Sequence, residues 1–414
     1  MRSVTATILK IDIYLLLLLL TVIAVGSGAG CGHYQYYNQA DFVRSDSPQI
    51  RFSRDQTWHI FFKTTYFYPV RDLFDVGYQF RRLIGKPVPA RNLGLNGAVV
   101  DSSFFTNRPI AGVDPAVIAN GPNRGLKPTG PFTIIKVKTK GGSAGFIGAD
   151  VNGYNYLIKL DDSDFPGLGG TAEIVASRIY WALGYFVPET FLITITGTND
   201  PRFDGRRATA SRFVPGKVMG IYKFDWVRDR REFRAMKLAA AWLNDVDRSD
   251  NNNLAAINDG VVRFYILDFN GALGSWQGRA KEPWQGGRYR WDVGRQLKWL
   301  ATLGLANDKQ KEPAGNGAKG PAKVINDKSL GYMTLSFEPD AWRSEKPNSA
   351  FDRMADEDAA WMARRIGQFS REQLQAIIDQ AHITDPSVAQ RLLTALLARR
   401  EAILNHYLPP IGAK

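Results

Sequence analysis

The dipeptide Asp259-Gly260, set between strand-like runs over 253–257 and 261–267, restricts this chain more than any other pair of residues. Asp-Gly between two such runs predicts a two-residue type I′ turn, the turn whose twist matches the strands it joins. A hairpin closed in that way has a single register. Asn258 pairs with Val261 and, counting back, Asn252 lies opposite Leu267, so Asn252 and Asp268 sit side by side at the open end.

Upstream, Phe233, Met236, Ala240 and Leu243 recur at helical spacing, so a helix delivers the chain to a polar cluster over 244–253. Asp247 stands in that cluster, and a carboxylate, a carboxamide and a second carboxylate thus converge at one end of one hairpin. Hard oxygen donors of this kind suit Mg²⁺ or Mn²⁺, which take one or two carboxylates plus substrate phosphates. The donor set points to phosphoryl transfer. Three other readings compete. An EF-hand fails, because Asp250 stands where its loop needs glycine and Ala256 where its closing glutamate belongs. Asp245-Val246-Asp247 also fits the short metal-binding pair of a glycosyltransferase, and a solvated polar loop is the plain alternative.

From Pro131 the pattern turns to strands, over 132–137 and 154–160, around a glycine-bearing turn over 140–148. Gly141-Gly142-Ser143-Ala144-Gly145 in that turn fits the nucleophile elbow of α/β-hydrolases. That motif requires a helix directly afterwards, whereas 146–160 is Gly-rich and strand-like. Lys159 lies in the apolar run YLIKL, where a lysine is rarely buried without a carboxylate. The helix read over 172–183 offers one: Val175, Ile179, Ala182 and Leu183 share its inner face, Gly184 ends it, and Glu173 lies in its first turn. An exposed lysine on an edge strand is the alternative. A further strand over 207–214 is broken by Pro215-Gly216.

Lys159, Glu173, Asp247, Asn252 and Asp268 follow one another in the order used by protein and lipid kinases. The chain resembles those kinases in that order. More closely, the segments WLND, YILDFNGALGS, YLIKLDD, SRIYWALGYFVPE and SFEPDAWRSEKPN resemble a family of bacterial envelope lipoproteins with a protein-kinase-like core. The resemblance implies an α+β, two-lobed kinase-like fold: a β-rich small lobe over 131–214, a mainly helical large lobe over 215–414, and an N-terminal extension over 58–130, whose Gly-, Pro- and Asn-rich stretch 92–130 is expected to pack on the small lobe. It implies ATP with Mg²⁺ or Mn²⁺, and an unknown acceptor in the envelope. By the same resemblance Lys159 and Glu173 pair over the phosphates, Asp247 is the catalytic base or orienting carboxylate, and Asn252 and Asp268 hold the metal. Backbone amides of Gly141, Gly142 and Gly145 would approach the phosphates, and backbone groups of Phe213 or Val214 the base edge. One departure stands out. Kinases have Asp-Phe-Gly where this chain has Asp268-Phe269-Asn270-Gly271, and Asn accepts left-handed backbone better than most residues, so the turn is expected to survive. The second class of reading is a catalytically inactive pseudokinase-like binding or scaffold module, favoured by a compartment without an obvious ATP supply.

The N-terminus has Arg2 and Lys10 beside an apolar run over 13–25, then small residues leading to Cys31, the one cysteine of the chain. That layout reads as a secretory signal, its run short for a membrane span, with an ordinary cleaved signal or an uncleaved anchor as the alternatives to a lipoprotein leader. Cysteine after Ala-Gly resembles a bacterial lipobox, which implies a leader over 1–30, a lipidated Cys31, a tether over 31–57 and, with Gly32 next, the outer membrane. One cysteine excludes an internal disulfide framework and a Cys-based zinc site. The net charge of +13 reads first as a solvated basic surface and otherwise suits anionic lipid, lipopolysaccharide or phosphorylated ligands, and no nucleic-acid motif accompanies it, so nucleic acid is not an expected partner. No Walker A loop or His-Glu-x-x-His pair is present. Residues 58–68 read as a strand and 72–84 as a helix, with Leu73, Val76, Phe80, Leu83 and Ile84 on its core face and Asp72 as its cap. Residues 306–328 read as a mobile insert. Ser370 with Gln373 fits a capping box, and Asp385-Pro386 a helix start.

Overall fold

The computed structural model describes residues 38, 41–44, 57–94, 96–125, 127–139, 142–290, 324–327, 330–335 and 337–409. The leader over 1–30, Cys31, most of the 31–57 tether, Gly141 and all of the 306–328 insert but 324–327 lie outside these residues.

In chain order the elements are β1 (Val43–Arg44), α1 (Thr57–Phe62), a π-helical turn (Lys63–Phe67), α2 (Tyr68–Leu73), α3 (Val76–Leu83) and α4 (Pro115–Asn120). Then come β2 (Thr133–Val137), β3 (Gly145–Ala149), β4 (Asn155–Leu160), α5 (Leu168–Leu183), β5 (Thr190–Thr194), β6 (Arg207–Arg212) and β7 (Lys217–Gly220). The remainder is α6 (Arg231–Leu243), β8 (Asn253–Asn258), β9 (Val261–Ile266), β10 (Ser275–Trp276), β11 (Arg279–Ala280), β12 (Val324–Asp327), β13 (Gly331–Thr334), α7 (Asp356–Ile366), α8 (Arg371–Asp379) and α9 (Pro386–Tyr407). The fold is α+β, with a sheet-rich part and a helical part. No helix among the described residues is long and apolar enough to cross a membrane.

Five antiparallel strands in the order β2-β3-β4-β6-β5 form one sheet, and β1-β9-β8-β7 form another. Alternation decides the faces of the first. Tyr156, Ile158 and Leu160 on β4 pack with Phe146, Phe191, Ala208 and Ala210 in a core of their own. Asn155, Leu157 and Lys159 therefore point to the opposite face, since side chains alternate along a strand. α5 joins the main core, where its Ile174, Val175 and Ile179 belong to one cluster with Phe233, Met236 and Trp242 of α6. The carbonyls at the end of α6 are satisfied from α9, whose buried Arg399 donates to Ala241 O at 2.6 Å and Trp242 O at 2.9 Å.

The hairpin forms with the register read from its turn. Asn258 pairs with Val261 and Asn253 with Ile266, and Leu267 N donates to Asn252 O at 2.8 Å. Asp259 and Gly260 both take positive φ, 51° and 76°, as a type I′ turn requires.

Several expectations are corrected. Residues 58–68 are helical, not a strand: Ile60, Thr64 and Tyr68 bury at a spacing of four, and Thr64 Oγ1 donates back to Ile60 O at 2.8 Å. The helix over 72–84 breaks at Phe74 and restarts at Val76, capped by Asp75, whose Oδ1 accepts from Tyr78 N at 3.0 Å. Its apolar stripe faces outward, with Val76 76% and Leu83 84% exposed, because the groups that reach the core from here are Tyr68, Val70 and Tyr78. Part of the 140–148 turn is strand, β3, which pairs with both β2 and β4. α5 begins at Leu168, so Glu173 lies in its second turn rather than its first. The N-terminal extension packs on the helical part as well: α4 lies along α8, and Phe104 stacks on Phe264 at 4.1 Å and meets Phe233 edge-on. Residues 324–327 of the proposed insert pair with β13 as a strand.

Two stability outcomes follow from this packing. The Ser370 capping box is formed, with Gln373 N donating to Ser370 Oγ at 3.1 Å and Ser370 N to Gln373 Oε1 at 3.0 Å. Ser370→Ala is expected to cost about 1 kcal/mol, whereas Leu83→Ser, on the outward stripe, should stay within about 0.5 kcal/mol of wild type. Urea unfolding of both variants checks the pair.

Candidate functional site

β4 ends at Leu160, and Asp161 directly after it sets the start of α5. Its Oδ1 accepts from Gly170 N at 2.8 Å and its Oδ2 from Arg207 Nε at 2.9 Å. The strand that carries Lys159 and the helix that carries Glu173 are thereby held in one register. Lys159 Nζ lies 3.2 Å from Glu173 Oε2 and 2.9 Å from Asp268 Oδ1. Lys159 and Glu173 side chains are 5% and 3% exposed, while that of Asp268 is 43% exposed. The triad is a buried ion pair that opens to the surface at its Asp268 end. Glu173 Oε2 also accepts from Phe269 N at 3.2 Å, so one carboxylate oxygen joins strand, helix and the loop after β9.

These contacts fix the titration of the group. Burial alone would lower the Lys159 ammonium, but Asp268 and Glu173 outweigh it and the value is raised. Burial raises the Glu173 carboxyl against the pull of Lys159. Asp268, for which burial acts upward, ends lowered because Lys159 and then Arg248 stabilise its charge.

Asn244 closes α6 with φ of 49°, turning the chain into the loop that carries Asp247. Arg248 then anchors that loop to the end of the hairpin. Its Nε lies 2.8 Å from Asp245 Oδ2, Nη1 donates to Leu267 O at 2.9 Å, and Nη2 donates to the Asp268 carbonyl. Asn252 Nδ2 donates to Asp247 O at 2.7 Å. With the amide nitrogen engaged there, the Asn252 carbonyl oxygen is the atom left for a ligand. Gly271 backs Asp247 closely, and a Cβ at 271 would come within 2.9 Å of Asp247 Cβ. Burial pushes the Asp247 carboxyl up, with Lys346 opposing and Asp268 adding to the rise.

Asp247, Asn252 and Asp268 thus converge through Arg248 and the hairpin register. Among the described residues no group of three or more His, Cys, Asp or Glu could hold a metal ion. One free carboxylate edge on Asp268 and one amide oxygen on Asn252 fit a hard cation whose remaining ligands are phosphates and water.

The other sequence candidates fare differently. Gly145 lies in β3 opposite Lys159, where a Cβ would meet Ile158 O at 2.0 Å, so close strand approach by itself requires glycine there. Gly142 sits against Gln277, and Ser143 Oγ accepts from Asn270 Nδ2 at 3.4 Å, so the glycine turn rests on the loop after Asp268. Phe213 N donates to Asn155 O at 2.9 Å, so of the backbone groups expected at a base edge this N–H is already engaged. Phe213 and Val214 line a cavity that none of the five charged and amide site residues touches. The left-handed residue of the Asp-Phe-Asn-Gly loop is Asp268, φ 56°, and not Asn270. Asn270 instead uses its side chain, whose Oδ1 accepts from Ser275 Oγ at 3.2 Å. Ser143 is followed by strand β3 and forms no nucleophile elbow.

Three polar side chains escaped the sequence reading. Lys138 Nζ donates to Ser143 O at 2.7 Å and feels the charges of Lys159, Asp268 and Glu173. Lys346 faces Asp247 electrostatically. Glu345 is pushed up to about 7 by burial and by Asp247, with Arg290 opposing. Only its place in the SEKP segment could have drawn attention to it.

No protein-family model matches the chain, and no curated protein does. Among solved structures it is similar to the Helicobacter pylori proinflammatory kinase CtkA, with 16% sequence identity and a TM-score of 0.40 over 68% of this chain and 99% of that one.

Removing one partner of a buried pair leaves a stranded charge. Lys159→Met is therefore expected to cost about 3–5 kcal/mol, and adding Glu173→Leu should recover a large part of it in a double-mutant cycle by urea unfolding. Glu345 supplies a pH test. Its folded value, about 7, lies above its ordinary 4.5, so the folded state holds an extra proton between these pH values and stability falls as pH rises through them. Glu345→Gln should remove that loss, so the Tm difference in favour of the variant widens from pH 5 to pH 8.

Proposed function

We propose that the chain is a metal-dependent phosphotransferase of the protein-kinase-like kind, moving the terminal phosphoryl of a nucleoside triphosphate such as ATP to a hydroxyl acceptor. The observation that carries this reading is Lys159 held between Glu173 and Asp268, with Asp247 and Asn252 brought to the same hairpin end. Lys159, oriented by Glu173, would hold a phosphate oxygen of the donor. Asn252 and Asp268 would hold Mg²⁺ or Mn²⁺, which supplies charge neutralisation for the phosphates. Asp247, with its raised carboxyl, would orient the acceptor hydroxyl and take its proton as the new O–P bond forms and the nucleoside diphosphate leaves. Lys138 and Lys346 add positive charge to the same cleft.

Tethered through a lipidated Cys31, such an enzyme would act on a protein, glycan or lipid acceptor of the bacterial envelope, with the outer membrane the expected location. A binding module without catalysis is favoured by one contact, the glycine turn resting on Asn270 and Gln277. Thermal unfolding with ATP and Mg²⁺ or Mn²⁺ separates the readings. Ligand bound only by the native state adds about 2.7 kcal/mol at a hundredfold excess over Kd. The expected result is a metal-dependent rise in Tm that Asp268→Ala abolishes, together with phosphate transfer or ATP turnover that Asp247→Asn abolishes. A rise without turnover supports the binding module, and no rise from a cooperatively folded sample overturns the phosphotransferase.

A further inference from the structure

A cavity of about 800 Å³ lies where the five-stranded sheet meets the hairpin, lined in part by the Phe213–Pro215 connection, the end of α5 and β9. Its size falls in the range of small-molecule sites. Its lining does not include Lys159, Glu173, Asp247, Asn252 or Asp268, so it is separate from the site described above.

Four guanidinium groups reach it, those of Arg108, Arg124, Arg212 and Arg263. Glu189 is the carboxylate facing them, and it is already engaged by Arg212 at 3.0 Å and by the backbone N–H groups of Arg124 and Gly125 at 2.9 and 3.1 Å. Among the described residues Arg124 and Arg263 have no carboxylate within ion-pair distance. Arg108 donates through Nη1 to the carbonyls of Trp181 and Tyr185, at 2.6 and 3.1 Å, which leaves its charge unbalanced. Three cations therefore face one cavity with no carboxylate at ion-pair distance among the described residues. The crowding is felt: Arg108 is pushed down to about 10 by burial first, then by Arg124 and Arg365, with Asp101 opposing.

The walls between these cations are aromatic. Arg108 stacks over Trp181 at 4.8 Å, and Arg263 over Phe186 at 4.9 Å. A stacked guanidinium keeps its edge N–H groups available for paired oxygen acceptors. We infer that this cavity binds a small organic anion whose phosphate or carboxylate group is answered by Arg108, Arg124 and Arg263 and whose flat ring lies against Trp181 and Phe186. An occupant would touch both sheets at once, since Arg212 lies on β6 of the five-stranded sheet and Arg263 on β9. The strand carrying Arg263 runs on to Asp268, so the occupant would also stiffen the hairpin that presents it. The inference does not rest on the phosphotransferase reading.

Calorimetric titration of the full-length protein with 1-naphthyl phosphate tests it, with 1-naphthol and inorganic phosphate as half-probes. Saturable binding of 1-naphthyl phosphate is expected, at least tenfold tighter than either half-probe. Arg263→Gln and the surface variant Arg124→Gln should each weaken it at least fivefold with an unchanged circular dichroism spectrum, and Asp268→Ala should leave it unchanged. Absence of binding, wild-type affinity in both arginine variants, or loss in a folded Asp268→Ala protein would each overturn the assignment.

Discussion

The ammonium of Lys159 between Glu173 and Asp268 is the contact on which the arrangement of the site depends. It joins a strand of the first sheet and the helix that follows it to the loop leaving the second sheet, about a hundred residues further on. A lysine at 5% exposure survives as a charge only when carboxylates replace its water, and both are supplied here. The asymmetry of the triad matters as much as its presence. Glu173 is enclosed and serves to orient, whereas Asp268 keeps an exposed edge on which a cation can be met.

Two further polar anchors determine whether that triad is correctly placed. Asp161 ties the first turn of α5 to the end of β4 and to Arg207, fixing the height of Glu173 relative to Lys159. Arg248 does the same for the second half of the site, bonding the carbonyls of residues 267 and 268 from the loop that bears Asp247. Both anchors are buried charged groups, although Arg207, the partner of Asp161, is half-buried, an arrangement that trades little net stability for a defined geometry. The glycine turn then rests on Asn270 through Ser143, which gives the residue that replaces a glycine a structural purpose of its own.

Lys138 and Lys346 gather around the acidic hairpin end, and a second set of arginines lines the cavity between the sheets. The first set balances carboxylates. The second has none to spare, since Glu189 is shared by Arg212 and two backbone amides. A basic composition thus resolves into one compensated region and one that is not.

Local chemistry alone determined the hairpin, because Asp259-Gly260 admits one turn and one turn admits one register, and this placed Asn252 opposite Leu267. The helix into the polar cluster, the glycine that ends α5 and the two C-terminal caps were legible for the same reason: each depends on residues within a turn or two of one another. What depends on distant neighbours was not. The aromatic run from Trp58 is helical because Ile60, Thr64 and Tyr68 find the core at helical spacing, and the apolar stripe of α3 faces outward because nothing packs over it among the described residues. The N–H of Phe213 is taken by Asn155 on a neighbouring strand, Arg248 reaches the hairpin across the loop, and the cations of the second cavity meet from four separate segments. Turn and cap energies are set within a few residues, whereas burial and ion pairing are set by which segments the folded chain brings together, and that only the tertiary structure decides.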